Sequence, residues 1–218
     1  MIYKLISYLF PITIYKTASD VSKSIEVVLY NGKLMIDTPN TNYSYGSLQR
    51  ILRFGLQKIG FQKIRNMQHI LVLGMAGGSV IKTLTDEVKY THPITAVDID
   101  KNIVDVAVKF FKMNEIDNLE IIIEDAQKFV KQTDKTYHLI IIDIFQDSLM
   151  PDFLFSEVFI NQVIKILKPD GIVLFNTMKN NEIDTQRNLK FATNCNQNFN
   201  IEILPNVEGN ELFLISKK

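Results

Sequence analysis

Cysteine is almost absent from this chain: 218 residues contain one, Cys195, alongside three histidines. A single thiol excludes an internal disulfide, and no Cys/His grouping has the spacing of a metal site. A reducing, cytoplasmic setting is the expectation. Net charge is missing as well, with 24 Lys and Arg against 24 Asp and Glu, so nothing global points to a nucleic acid or a membrane as partner. Long apolar runs are lacking: no stretch reaches the ~18 residues of a membrane span. The opening MIYKLISYLFPITIY is broken by Pro11 and has no small-residue cleavage site, so no signal peptide is expected.

What is present is an apolar share of 46%, ample for the core of one domain with a small appendage. The balanced charge is unevenly spread. Residues 38 to 85 carry six bases (Arg50, Arg53, Lys58, Lys63, Arg65, Lys82) and no acid, whereas residues 98 to 170 carry fourteen acids against eight bases. A basic flank beside an acidic site is the expectation.

The most informative stretch is residues 69 to 100. The apolar run Ile70 to Leu73 ends in Gly74, Gly77 and Gly78, a helical pattern follows, and a second apolar run, Ile94 to Val97, ends in Asp98 and Asp100. Continuous apolar runs mark buried parallel strands, and the glycines permit a tight turn close to a ligand. An acid ending the second strand, about 20 residues past the glycines, is placed to accept hydrogen bonds from ribose hydroxyls. Asp98 is that residue, and Asp100 stands next in line. Ala76 occupies the middle glycine position of a strict G-x-G-x-x-G. The looser small-residue spacing of Gly74, Ala76 and Gly78 suits a nucleoside site that holds no pyrophosphate.

Upstream, ITIYKT, SIEVVLY and KLMID read as strands, with Asn31-Gly32 as a type I′ hairpin turn. TPNTNYSYG reads as a turn-rich stretch, and Ser47 caps a helix from about Leu48 to Ile59. Arg50, Arg53 and Lys58 lie off its apolar stripe and read as a solvated face. Downstream, strands at 69–73, 94–98, 119–123, 137–142 and 172–176 alternate with a helix after Gly78 and Ser79, one near 101–113, a short one starting near Asp125, and two more near 154–167 and 181–194. Two last strands, near 199–204 and 211–216, are joined by the turn VEGN. The expectation is an α/β fold: a Rossmann-like doubly wound sheet of about seven strands with an antiparallel terminal hairpin, plus a small N-terminal β hairpin region. The expected division is 1–46 for the N-terminal region and 47–218 for the nucleoside-binding domain.

Ligands in such sheets bind beyond the carboxyl ends of the strands. There the sequence places the Gly74 to Gly78 turn, Asp98, Asp125 and Asp143. Asp125, starting a helix, can accept from an adenine amino group beside the backbone N–H groups of that helix end. Asp143 follows four apolar residues and is therefore expected to be desolvated, its pKa raised toward usefulness as a proton acceptor. Asp147, Asp152 and Glu157 read as solvated acids, and His69, His92 and His138 as structural.

LVLGMAGGSV, AVDIDKNIVDVAVKFF, IIIEDAQKFV, YHLIIIDIFQDSLMPDFLFSEVF and ILKPDGIVLFN resemble, in order and spacing, the motifs of the spermidine synthase-like branch of the class I S-adenosylmethionine methyltransferase superfamily. NGKLMIDTPNTNYSYGSL resembles the segment that joins that family's N-terminal β domain to its catalytic domain. The resemblance implies a nucleoside pocket shaped by Gly74, Ala76, Gly77 and Gly78. It further implies Asp98 with Ile99 at the ribose, Asp125 with Ala126 at the adenine, Asp143 assisting the attacking amine, and Tyr45, Gln146 and Asp147 at the acceptor. It favours a homodimer.

The departures are chemical. The synthases carry an aspartate where this chain has Gly77, and that aspartate helps hold the aminopropyl group. Their second acid after strand four falls on Gln146, with Asp147 one place off, and Gly46-Ser47 replaces the Gln-Glu or His-Glu that follows their tyrosine. The expected function is accordingly a transferase using S-adenosylmethionine or its decarboxylated form, leaning to methyl transfer onto a small-molecule acceptor. The alternatives are an aminopropyltransferase acting on a di- or polyamine and a non-catalytic nucleoside-binding protein. A nicotinamide-dependent oxidoreductase is disfavoured by Ala76 and the terminal hairpin. Specificity is expected in the 144–153 loop, the Tyr43 to Ser47 turn and the N-terminal hairpin.

Overall fold

Asn31 and Gly32 adopt φ 49 and 73, the paired positive angles of a type I′ turn. They join two of the four antiparallel strands of an N-terminal sheet: β1 (Ile12–Ser19), β2 (Lys23–Tyr30), β3 (Lys33–Thr38) and β4 (Thr41–Ser44), in that order across the sheet. The structure is a computed structural model, and it describes residues 2–19, 21, 23–38, 41–44, 47–146, 149–205 and 207–218. Two N-terminal elements differ from expectation. The short edge strand β4 falls where the sequence reads as turn. A helix, α1 (Ile2–Ile6), precedes β1. None of its residues is buried, so no apolar periodicity marks it.

The second sheet has seven strands. β5 (Ile70–Leu73), β6 (Ile94–Asp98), β7 (Leu119–Ile123), β8 (Tyr137–Ile142) and β9 (Leu167–Met178) are mutually parallel. β10 (Phe199–Ile203) and β11 (Asn210–Lys217) form an antiparallel pair, and the order across the sheet is β10-β11-β9-β8-β5-β6-β7. The antiparallel edge expected from the VEGN turn is present, which leaves the oxidoreductase reading without support. β9 begins five residues earlier than its apolar run. The Pro169-Asp170-Gly171 turn sits inside it as a register shift between Tyr137 and Leu139 of β8.

Successive residues of each strand point to opposite faces, and two helical layers cover them. Ile70, Val72, Ile94, Ala96, Leu139 and Ile141 pack against Leu52 and Leu56 of α2 (Ser47–Ile59) and Ile103 and Ala107 of α5 (Lys101–Phe111). Ile25, Val27 and Ile36 of the N-terminal sheet join this same cluster. Leu71, Leu73, Val97, Ile140 and Ile142 face the other way. They meet Phe129 of α6 (Ala126–Gln132), Phe159 and Val163 of α7 (Glu157–Lys165) and Phe191 of α8 (Glu182–Asn198). Each fully buried Ile or Leu contributes roughly 1.5–3 kcal/mol, so the sheet that carries the strand ends is rigid.

Between these elements, α3 (Phe61–Arg65) extends α2 by a turn, and the helix after Gly78 splits. α4 (Ser79–Lys82) continues as a π-helix over Thr83–Val88. The Thr83 hydroxyl donates back to the Ser79 carbonyl at 3.1 Å, a competing bond of the kind that bends helices. Among the described residues no helix is long and apolar enough to cross a membrane.

Candidate functional site

Gly74 ends β5 at φ 84, and a Cβ there would stand 2.2 Å from the backbone oxygen of Asp143 at the end of β8. Only glycine lets the two strand ends approach so closely. This is the switch point of the sheet, where β5 has β6 on one side and β8 on the other. A cleft of about 250 Å³ opens there, lined by the ends of β5, β6, β7, β8 and β9 and by the β10–β11 turn.

On one wall the carboxylates are set by backbone. Asp98 Oδ2 accepts from the N–H of Ala76 at 2.9 Å, and Oδ1 accepts from the N–H of Asp100 at 3.0 Å. Burial pushes its pKa up, and those backbone bonds oppose the rise. Ala76 holds a left-handed φ of 42, so the alanine in the middle glycine position adopts a glycine's conformation. Asp125 caps α6 by accepting from the N–H of Lys128 at 3.0 Å through Oδ1, and it also lines the cleft. Ile99 and Ala126 line the cleft between them.

Asp100, the acid next in line after Asp98, lines the cleft but is engaged within the fold through both carboxylate oxygens. Its Oδ1 caps α5 through the N–H groups of Asn102 and Ile103, and its Oδ2 accepts from the Ser19 hydroxyl at 2.5 Å, tying the end of β1 to the loop that follows β6.

The opposite wall is built from side chains. The Asp143 carboxyl is pushed up to about 6, chiefly by burial, with the neighbouring Asp98 adding to the rise and Asn176 opposing it. Asn176, fully buried at the end of the β9 apolar run, donates through Nδ2 to Asp143 Oδ1 at 2.8 Å. Asn210 at the start of β11 donates to Asn176 Oδ1, also at 2.8 Å. The relay Asn210–Asn176–Asp143 fixes the orientation of the carboxylate.

At the rim Glu208, in the β10–β11 turn, faces the cleft and makes a two-pronged ion pair with Arg50 of α2, at 2.8 and 2.7 Å. Arg53 pairs with Glu87 at 2.5 Å. The helix face read as solvated is exposed as expected, and it carries two ion pairs, one of which reaches the cleft.

Of the residues expected at the site, Gly74, Ala76, Asp98, Ile99, Asp125, Ala126, Asp143 and Gln146 line the cleft. Gly77 and Gly78 lie behind it: Gly77 is buried in the turn, and Gly78 caps α4. Tyr45 and Asp147 lie outside the described residues. Asp152 and Glu157 are not among the cleft-lining residues. From the 144–153 loop, Ile144, Phe145, Gln146, Pro151 and Phe153 contribute. From the N-terminal sheet it is Val21, in the β1–β2 connection, that reaches the cleft, and not the Asn31-Gly32 hairpin.

Asn176, Glu208 and Asn210 went unread in the sequence as site residues. Asn176 carried a usable signal, a polar residue ending an apolar strand on the edge where the acids converge.

A spermine/spermidine synthase domain matches residues 54–207. A polyamine aminopropyltransferase of Vibrio vulnificus (strain CMCP6) is 23% identical over 150 residues, covering 67% of this chain and 50% of that protein. Another, of Clostridium botulinum (strain Eklund 17B / Type B), is 32% identical over 113 residues, covering 50% of this chain and 39% of that protein. The chain thus spans half or less of the length of these relatives. The crystal structure of a probable spermidine synthase from Corynebacterium glutamicum ATCC 13032 superposes with a TM-score of 0.70, over 93% of this chain and 79% of that one at 15% identity, which shows a shared fold. The sheet order, the terminal hairpin and the domain match together place the chain in the spermine/spermidine synthase domain family.

Proposed function

We propose that this chain transfers the aminopropyl group of decarboxylated S-adenosylmethionine to a small amine acceptor. The family supports this reading over the methyl transfer to which the sequence alone leans, and one observation of the cleft carries it. Six acids line the cleft, Asp98, Asp100, Glu124, Asp125, Asp143 and Glu208, and among the described lining residues there is no Lys, Arg or His. Such a wall favours ligands that are purely cationic and opposes a carboxylate, since Arg50 at the rim is already paired with Glu208. The decarboxylated nucleoside and an amine are cations throughout. S-adenosylmethionine carries a carboxylate.

The residues present fit such a nucleoside. Asp98, its carboxylate aimed by two backbone N–H groups, receives the ribose hydroxyls. Asp125 Oδ2 accepts from the adenine amino group, with Ile99 and Ala126 against the base, while Gly74 and Ala76 bring the loop backbone close. Gln146, together with Asp147 and Tyr45, is assigned to the acceptor side.

When bound, the sulfonium supplies an electrophilic CH2 carbon, so that a C–N bond to the acceptor nitrogen forms as the C–S bond breaks and methylthioadenosine leaves as a neutral thioether. Asp143 orients the acceptor nitrogen and takes the proton it sheds. A carboxyl with a pKa of about 6 is ionised at neutral pH yet more basic than an ordinary aspartate. Activity is accordingly expected to rise as pH climbs through about 6.

Methyl transfer is the second reading, favoured by Gly77 and Gln146, which put no carboxylate where the resemblance expects two acids. The two readings, and a non-catalytic one, separate by product. The protein is incubated with either nucleoside and a panel of mono-, di- and triamines, and the thioether is identified by mass spectrometry. Methylthioadenosine with an aminopropylated amine supports the proposal. S-adenosylhomocysteine supports methyl transfer, and neither thioether supports a non-catalytic role.

A further inference from the structure

Among the described residues two turns place consecutive residues at left-handed φ in the manner of a type I′ turn, with different chemistry. At Asn31-Gly32 the left-handed positions hold the residues that favour them. At Val207 to Asn210, closed by reciprocal backbone bonds of 2.9 and 3.0 Å, the first left-handed position holds Glu208 at φ 52, followed by Gly209 at φ 81. Glutamate has no short side-chain bond to stabilise that conformation, so the turn breaks a local rule. The backbone is nevertheless held firmly, since the N–H of Lys179 donates to the Gly209 carbonyl at 2.7 Å. The consequence is that the Glu208 carboxylate faces the cleft, two residues before Asn210, which anchors the relay to Asp143.

Arg50 holds the Glu208 carboxyl below the usual range, yet the pair is open to solvent, with the two side chains 62% and 38% exposed. Exposed ion pairs are weak and readily exchanged. We propose that Glu208 is a specificity-determining residue: it receives the distal ammonium of a diamine whose other nitrogen lies at Asp143, exchanging Arg50 for that ammonium. The inference rests on the aminopropyl-transfer reading and names the acceptor class as a diamine. It also supplies, from the terminal hairpin, an acid to the acceptor wall on which Gln146 is uncharged.

The test is calorimetric titration of 1,4-diaminobutane and of 1-aminobutane into the full chain saturated with methylthioadenosine, for the wild type, Glu208→Gln and Arg50→Gln. The quantity read is the ratio of diamine to monoamine affinity, which a misfolded variant does not mimic. In the wild type the diamine is expected to bind roughly 10- to 100-fold more tightly. Glu208→Gln is expected to bring the ratio close to one. Arg50→Gln, by removing the competing cation, is expected to raise diamine affinity roughly 2- to 5-fold. A wild-type preference that survives in Glu208→Gln overturns the assignment. So does a fall in diamine affinity in Arg50→Gln, because it would make the arginine a support and not a competitor. Failure of the wild type to bind methylthioadenosine overturns the transferase reading itself, and nucleoside binding without any diamine preference overturns this inference alone.

Discussion

The two walls of the cleft hold their carboxylates by different means. On the nucleoside wall Asp98 and Asp125 are aimed by main-chain N–H groups of the loops that follow β5, β6 and β7. On the acceptor wall proposed above, Asp143 is oriented by the Asn176 side chain, and Glu208 is paired with Arg50, an exposed and exchangeable partner. Backbone donors are fixed by the fold and survive almost any nearby substitution. Side-chain donors can be replaced one at a time. A family can therefore keep one nucleoside pocket while its acceptor changes, and the departures in this chain, Gly77 apart, fall on the acceptor side.

The largest effect that sharpens this contrast is expected at Asp143. Asp143→Asn keeps an oxygen for Asn176 but removes the base, and turnover should fall ~10²- to 10⁴-fold with methylthioadenosine binding retained. The same change should stabilise the fold at neutral pH. The folded-state pKa lies above the ordinary aspartate value of 3.8, so the native state holds its proton more tightly than the unfolded chain. That stabilisation is complete below 3.8 and is lost as pH rises through about 6. Asparagine stays neutral, so above pH 6 the variant should gain roughly 1–3 kcal/mol, read as a raised denaturation midpoint. Equal stability would mean that Asp143 is solvated and ordinary.

Asp98→Asn tests the backbone-held wall. Nucleoside affinity should fall ~10- to 100-fold by calorimetry, while the acid limb governed by Asp143 persists but moves downward, because the Asp98 charge helps to raise that pKa. Asn176→Ala breaks the side-chain relay and should cost ~1–3 kcal/mol of stability, because Asp143 and Asn210 lose their partner. Since Asn176 holds the Asp143 pKa down, the acid limb of the pH–rate profile should also move upward. Mere loss of stability without that movement would show that the relay does not act on Asp143. The smallest effect belongs to Ala76→Gly. Relief of the left-handed alanine, less the extra chain entropy of glycine, should stabilise by up to ~1 kcal/mol with nucleoside affinity kept.

The same contrast explains what the sequence discloses. Asp98, Asp125 and Asp143 end apolar runs, so once the strands are read their convergence follows from topology. Asn176 and Asn210 meet only because β11 pairs with β9 in a register that sets Asn210 opposite Met178, and no local pattern encodes that register. Arg50 and Glu208 are 158 positions apart, and a surface arginine on an amphipathic helix carries no mark of its partner. At the N-terminus, α1 has no buried face to write periodicity into the sequence, and β4 is an edge strand of four residues, too short to show a period. The Asn31-Gly32 hairpin, which needs two particular backbone angles, was legible from two residues.

The central claim is that the acid-lined cleft takes a nucleoside without a carboxylate. Calorimetric titration of the purified chain with S-adenosylmethionine, its decarboxylated form and methylthioadenosine, side by side, tests it most directly. The account predicts that the decarboxylated form binds more tightly than S-adenosylmethionine by roughly tenfold or more. Equal or tighter binding of S-adenosylmethionine would contradict it and return the chain to methyl transfer.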